Sequence, residues 1–181
     1  MAGPISRNLL SDTTDISSEE HTLVGGCDLL DLAHEFGTPL FVYDETHLRS
    51  RCREAVKAFD GNVAYATKAF LCTEMARLAY QEGMSLDVAT GGELYIARKA
   101  DVPGERIVMH GNNKSFEELD MAIRENVGRI VVDSFNELDR LEELCASLNK
   151  PTKVLLRVTP GVEAHTHEFV STGQELSLIH I

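Results

Sequence analysis

Ser85-Leu-Asp-Val-Ala-Thr90-Gly-Gly-Glu93 joins a short apolar run to the start of a helix. Ser85–Ala89 has the length and apolarity of a strand. Thr90 and Glu93 then make a capping box, a hydroxyl at the N-cap and a carboxylate three residues later, which together satisfy two orphan backbone donors. The box fixes where the strand ends and the helix begins. Residues just before it, Asp87 among them, therefore stand at the carboxyl edge of a sheet.

The same unit recurs on either side. Asn62–Ala66, Arg106–Met109, Arg129–Val132 and Lys153–Val158 are further short, largely apolar runs, the pattern of strands buried on both faces in a parallel sheet. Amphipathic helices are predicted near Thr73–Gln81, Gly91–Ala100, Phe116–Arg124 and Phe135–Leu148. Ser115 with Glu118 and Ser134 with Glu137 repeat the capping box. Strand starts recur every 20–24 residues or so, a short but adequate length for a βα unit. Upstream, Asp28–Glu35 reads as a helix stopped by Gly37 and Pro39, Leu40–Tyr43 as a strand, and 45–59 as a second helix. Residues 1–21 are polar and read as a mobile lead-in.

Composition narrows the function classes. The 181 residues carry 29 acidic and 17 basic side chains, for a net charge of −12, which argues against a nucleic-acid partner. Cys27, Cys52, Cys72 and Cys145 are too widely spaced for a disulfide framework or a zinc site and read as reduced thiols of a cytoplasmic protein. The sequence shows neither an apolar run of membrane-spanning length nor a secretory signal pattern.

Ligands bind parallel α/β proteins at the carboxyl edge of the sheet, and here that edge reads Lys68, Asp87, His110, Asp133, Arg157. The set suits an anionic, electron-withdrawing cofactor held as an imine. A lysine amine is nucleophilic when neutral, which desolvation favours. Arginine grips an oxygen substituent or phosphate, and carboxylate and imidazole orient a ring and move protons. Each residue alone has an ordinary reading. A strand-end lysine is more often a surface charge, Asp87 and His110 serve turns as readily as sites, and Asp133 favours a helix dipole. Arg157 is harder to dismiss, because a strand buried on both faces tolerates an arginine only with a partner. The glycine pairs form no dinucleotide or P-loop fingerprint, and His165-Thr-His167 is too short a signal for a metal site, so no metal is expected.

Six segments in order resemble the diaminopimelate decarboxylases, of the alanine-racemase-like class of pyridoxal-phosphate enzymes. They are Gly37–Asp44, Tyr65–Ala69, Asp87–Leu94, His110–Ser115, Arg157–Gly161 and His165–Gly173, within about residues 25–175. The resemblance implies an α/β fold: about the first five βα units of a partial (β/α)8 TIM barrel of the pyridoxal-phosphate-binding type, the C-terminal β domain missing. It implies pyridoxal 5'-phosphate as cofactor, Lys68 as the lysine that bonds to it, and Asp87, His110 and Arg157 as its neighbours, with Arg157 on the ring oxygen. His165–Gly173 resembles the active-site lid. The implied reaction is decarboxylation of meso-2,6-diaminopimelate to L-lysine and CO2 by a homodimer that binds neither membrane nor nucleic acid.

The implied domains are a lead-in, 1–45, that would pack with the β domain, the barrel part, 46–175, and a tail, 176–181, foreign to the fold. Leu176-Ser-Leu-Ile-His-Ile181 stands where the family continues with an Asp-Ser-Lys-Phe-Gly-like segment, so a truncated, inactive product is expected. The alternatives are a related ornithine, arginine or carboxynorspermidine decarboxylase, or a non-catalytic carrier of the same cofactor. The long lead-in before Phe41 and the lid-like Ser171-Thr-Gly173 weigh against the carrier.

Overall fold

The computed structural model describes residues 6–18 and 20–158, in two compact units divided between Gly61 and Asn62. His165–Gly173 and residues 176–181 lie outside the described residues.

The first unit contains a sheet that its polar sequence did not suggest. β1 (Asp15–Ile16), β2 (Thr22–Val24) and β3 (Cys27–Asp28) pair antiparallel in that order, so the segment read as a mobile lead-in is in part an ordered meander. Val24 pairs with Cys27 across the two-residue turn Gly25-Gly26, whose φ values of 59° and 81° are those a primed hairpin turn demands. Helix α1 (Leu29–Phe36) is capped by Asp28, whose carboxylate accepts from the Leu30 amide at 2.7 Å and meets His21 Nδ1 at 2.6 Å. Helix α2 (Glu45–Ala58) is capped by Asp44, which accepts from the His47 amide at 3.0 Å and from the Thr13 hydroxyl. Burial pushes the Asp44 carboxyl up, but these hydrogen bonds outweigh it and hold the group below its ordinary range. Leu40–Tyr43, expected as a strand, joins neither sheet. Its side chains are exposed, from 39% at Leu40 to 86% at Phe41, so no covered face holds the run in a ladder.

The second unit is a parallel sheet in strict sequence order: β4 (Ala64–Ala66), β5 (Ser85–Val88), β6 (Ile107–Met109), β7 (Arg129–Val132) and β8 (Val154–Leu156). Between them run α3 (Thr73–Gln81), α4 (Gly91–Lys99), α5 (Phe116–Arg124) and α6 (Phe135–Leu148). A doubly wound sheet would reverse its strand order, whereas an unbroken order is the winding of a (β/α)8 barrel. Alternation along the strands shows which face the helices cover. Leu86, Val88, Ile107, Met109 and Ile130 are fully buried on one face and Val132 nearly so, while Asp87, Val108 and Val131 on the other are half-buried. Each such aliphatic side chain contributes about 1.5–3 kcal/mol on burial.

This corrects the expectation of strands buried on both faces: among the described residues one face is covered and the other is partly open. β8 departs furthest, with Val154, Leu155 and Leu156 all exposed.

The caps are close to the sequence reading but not identical. Ser115 and Glu118 make the full reciprocal box, at 3.2 and 2.9 Å. Thr90 and Ser134 accept from the amides of Glu93 and Glu137 as expected. The two carboxylates, however, reach one residue further back, to the amides of Ala89 and Asp133. In both cases the strand runs directly into the cap with φ of −138° and −154°, against −72° at Ser115, which follows a loop.

Candidate active site at the carboxyl edge of the sheet

Register places the predicted residues together. Asp87 pairs with Val108 and Val108 with Arg129, so the two-residue alternation sets Asp87, His110, Asp133 and Arg157 on the half-open face. The His110 amide donates to Val88 O at 2.7 Å and the Arg157 amide to Val132 O at 3.0 Å, which extends the ladder by one residue under each side chain.

Their side chains form one polar chain. Asp87 Oδ2 lies 3.4 Å from His110 Nδ1, His110 Nε2 lies 3.5 Å from Arg157 Nη1, and Arg157 Nη1 lies 3.4 Å from Asp133 Oδ2. A guanidinium only donates, so His110 Nε2 accepts, and the imidazole proton is assigned to Nδ1, facing Asp87. All three contacts sit at the long end of hydrogen bonding. Asp133, one of the five edge residues expected from the sequence, is the buried member, 3% exposed against 29% for Arg157. Arg157 does have a partner, as expected, although among the described residues β8 is exposed rather than buried on both faces.

Lys68 stands in a single 3-10 turn, Thr67–Ala69, immediately after β4. Ala66 pairs with Asp87, so that turn opens beside the same edge. Two side chains clamp it. The buried Thr67 hydroxyl donates to Asp87 O at 2.9 Å, and Tyr65 Oη donates to Phe70 O at 2.7 Å. Lys68 itself is exposed and, among the described residues, makes no ion pair, so these residues do not supply the desolvation that the sequence reading invoked. Lys114 is the opposite case. Its side chain is fully buried, its ammonium lies 2.7 Å from Glu137 Oε1, and it donates to Gly111 O and Val131 O. Thr67, Lys114 and Glu137 were missed as parts of the edge. Thr67 could have been suspected from its place before Lys68, but nothing in Gly111-Asn-Asn-Lys114 marks a buried lysine.

The family model for the pyridoxal-binding domain of pyridoxal-dependent decarboxylases matches residues 45–177. The chain belongs to that family. It is similar to the diaminopimelate decarboxylase of Bacillus methanolicus, 49% identical over 168 residues, which make up 90% of this chain and 39% of the relative. With the diaminopimelate decarboxylase of Mycobacterium tuberculosis (strain ATCC 25618 / H37Rv) it shares 54% identity over 154 residues, 84% of this chain and 34% of that protein. The crystal structure of diaminopimelate decarboxylase from M. jannaschii in complex with L-lysine superposes with a TM-score of 0.80 at 35% identity, covering 93% of this chain and 41% of that one. The chain therefore spans 34–39% of the length of these two curated relatives. Within that span its five parallel strands and the four helices between them are part of a pyridoxal-binding barrel.

The residues present fit such a cofactor. Two buried acceptors, Asp87 Oδ1 and Asp133 Oδ1, have no hydrogen-bond partner among the described residues. With an exposed amine and a guanidinium on the same edge, they form a donor and acceptor set for a planar, anionic, hydroxylated aldehyde. Among the described residues no helix is long and apolar enough to cross a membrane, and no group of three His, Cys, Asp or Glu could hold a metal ion.

Proposed function

We propose that the protein carrying this chain removes CO2 from the D-centre of meso-2,6-diaminopimelate, giving L-lysine, with pyridoxal 5'-phosphate bonded to Lys68. The observation that carries this reading is the edge itself: an exposed lysine beside a linked Asp87–His110–Arg157–Asp133 row, in a chain of the decarboxylase family. When bound, the cofactor supplies the electron sink for the carbanion that the departing carboxylate leaves. The chain's own residues bind and orient. Lys68 Nζ is the amine that makes the covalent attachment, held at the edge by the Thr67 and Tyr65 hydrogen bonds. Arg157 offers its remaining donors to a ring oxygen, and Asp133 keeps it turned inward. His110 holds its proton at Nδ1 against Asp87, which fixes the plane of the imidazole and leaves Asp87 Oδ1 to accept from the ligand.

The same reading assigns a cytoplasmic location, a homodimer as the working form, and a small amino acid rather than a nucleic acid or membrane as partner; the net charge of −12 supports the exclusion of nucleic acid. The test uses protein expressed from the longest reading frame that contains this sequence. Pyridoxal phosphate is added, the complex is reduced with borohydride, and peptides are mapped while CO2 release is followed from diaminopimelate and ornithine. Label on Lys68 with release from diaminopimelate is the expected result. Label on Lys99 or Lys114, or release from ornithine alone, would replace the reading.

A further inference from the structure

We propose that Lys114 and Glu137 are positioning residues, a buried ion pair that locks together the two loops carrying His110 and Asp133, and through Asp133 sets Arg157. This deepens the proposed function and rests on it. The loop after β6 runs from His110 through Gly111, whose φ of 108° and close approach to Ala89 O exclude a side chain, to Lys114. There the chain turns inward. The Lys114 side chain is 0% exposed and that of Glu137 7% exposed, with Nζ and Oε1 2.7 Å apart. That contact is charge to charge, without hydrogen-bond alignment. Nζ directs donors to Gly111 O, one residue from His110, and to Val131 O at 2.7 Å, two residues from Asp133. The other oxygen, Glu137 Oε2, accepts from the Asp133 amide itself at 3.0 Å. Arg140 of α6 adds a 3.3 Å hydrogen bond to Lys114 O. Lysine and glutamate thus hold both ends of the His110–Arg157–Asp133 segment by the backbone, without touching the side chains that face the ligand.

A comparison within the chain isolates what the lysine adds. At the end of β5, Glu93 holds the Ala89 amide in the same way, and among the described residues no buried cation pairs with it. The glutamate alone therefore suffices to staple a strand to its helix. Burying an ammonium next to it is costly, and hydrophobic residues of like volume commonly replace such pairs without loss of stability. What a hydrophobic pair could not do is bind Gly111 O and Val131 O at once. The pair is accordingly assigned to geometry at the edge rather than to stability.

The experiment compares the double variant Lys114→Met/Glu137→Gln, which keeps an acceptor for the Asp133 amide, and Glu137→Gln alone, with the unsubstituted protein from the longest reading frame. Thermal melting, pyridoxal phosphate affinity and the induced circular dichroism of the bound ring are measured for each. The double variant is expected to melt as the parent does, while affinity falls about ten-fold, the equivalent of one charge-assisted hydrogen bond, and the dichroism changes. An unchanged affinity and dichroism would overturn the inference, because a purely structural pair is replaced without loss by neutral residues that keep the Asp133 amide bonded. Should the double variant lose its cooperative melt, Glu137→Gln decides, since it keeps the shape and the bond to the Asp133 amide. Altered dichroism at a parental melt supports positioning, and parental dichroism refutes it. Borohydride labelling of the unsubstituted protein separates the two failures: no label on Lys68 sinks the reading of the site, whereas label with indifferent variants sinks only this inference.

Discussion

Arg157 Nη1 lies 3.4 Å from Asp133 Oδ2, and of the two side chains the carboxylate is the buried one. The dependence is therefore one-sided. Arg157 is 29% exposed and can be hydrated, but Asp133, at 3%, meets no other cation among the described residues. Removing the arginine leaves a buried charge uncompensated. Arg157→Met is expected to weaken cofactor retention and also to destabilise the fold by about 1–3 kcal/mol, below the value for a fully buried pair because water reaches the guanidinium. This goes beyond the sequence reading of Arg157 as a cofactor contact alone. The double variant Asp133→Asn/Arg157→Met should recover most of the stability and none of the cofactor affinity. Thermal melts alongside pyridoxal phosphate titrations would check both, and equal stability of the single and double variants would contradict the pairing.

Thr67 carries a second prediction. Its hydroxyl is the link between the Lys68 turn and β5, and the isostere valine removes the donor while keeping the volume. Thr67→Val is expected to cost about 1 kcal/mol of stability and to leave Asp87 O without that donor. If the turn positions Lys68, the rate of borohydride-trapped label on Lys68 should fall several-fold more than melting alone explains. An unchanged labelling rate would show that the turn holds itself.

How much of this was legible in the sequence depended on whether a signal was local. The strand-to-helix junctions at Thr90, Ser115 and Ser134 were readable because hydroxyl, spacing and carboxylate sit within four residues. Even there, the second half of two boxes shifted to Ala89 and Asp133, because cap geometry depends on how straight the strand arrives. Asp87 and His110 followed from those junctions, whereas Arg157 was reached from the apolarity of its own strand. The β1–β3 meander was missed because its strands are only two or three residues long, although Gly25-Gly26 after Leu23-Val24 was an available hairpin signal. Burial of Lys114 was not legible, since its partner stands 23 positions away on α6, beyond α5 and β7.

Two glycines of the second unit should respond oppositely to alanine. A Cβ on Gly104 would lie 2.0 Å from Glu125 O, and the loop there cannot recede because the Gly128 amide donates to Gly104 O at 2.9 Å. At Gly92, in the first turn of α4, the nearest atom is Thr90 Oγ1 at 3.8 Å. Gly104→Ala is expected to destabilise by about 1–3 kcal/mol or more. Gly92→Ala should be neutral or stabilising by up to about 1 kcal/mol, through the lower entropy of the unfolded chain. Denaturant midpoints with unchanged slopes would measure both, and similar losses at the two sites would refute the steric account.

Asp28 makes the first unit sensitive to acid, and the sign can be worked out. The Leu30 amide and then the His21 side chain stabilise its ionised form, so its folded-state pKa is lowered from the ordinary value near 3.8. A lowered carboxylate contributes stability that is fully present above its unfolded pKa and is lost as pH falls through the folded one. Protection of the Leu30 amide against hydrogen exchange should therefore be constant at neutral pH and decline below about pH 4. Asp28→Asn keeps an oxygen for the helix cap but cannot titrate, since asparagine caps about as well as aspartate. The variant should show lower protection than the parent at pH 7, where the charge and the His21 contact are missing, and no decline of its own on acidification. The two curves should converge in acid, where the parent carboxyl is protonated. A parent curve that stays flat, or a variant curve that falls in parallel with it, would move the acid sensitivity of α1 away from its cap.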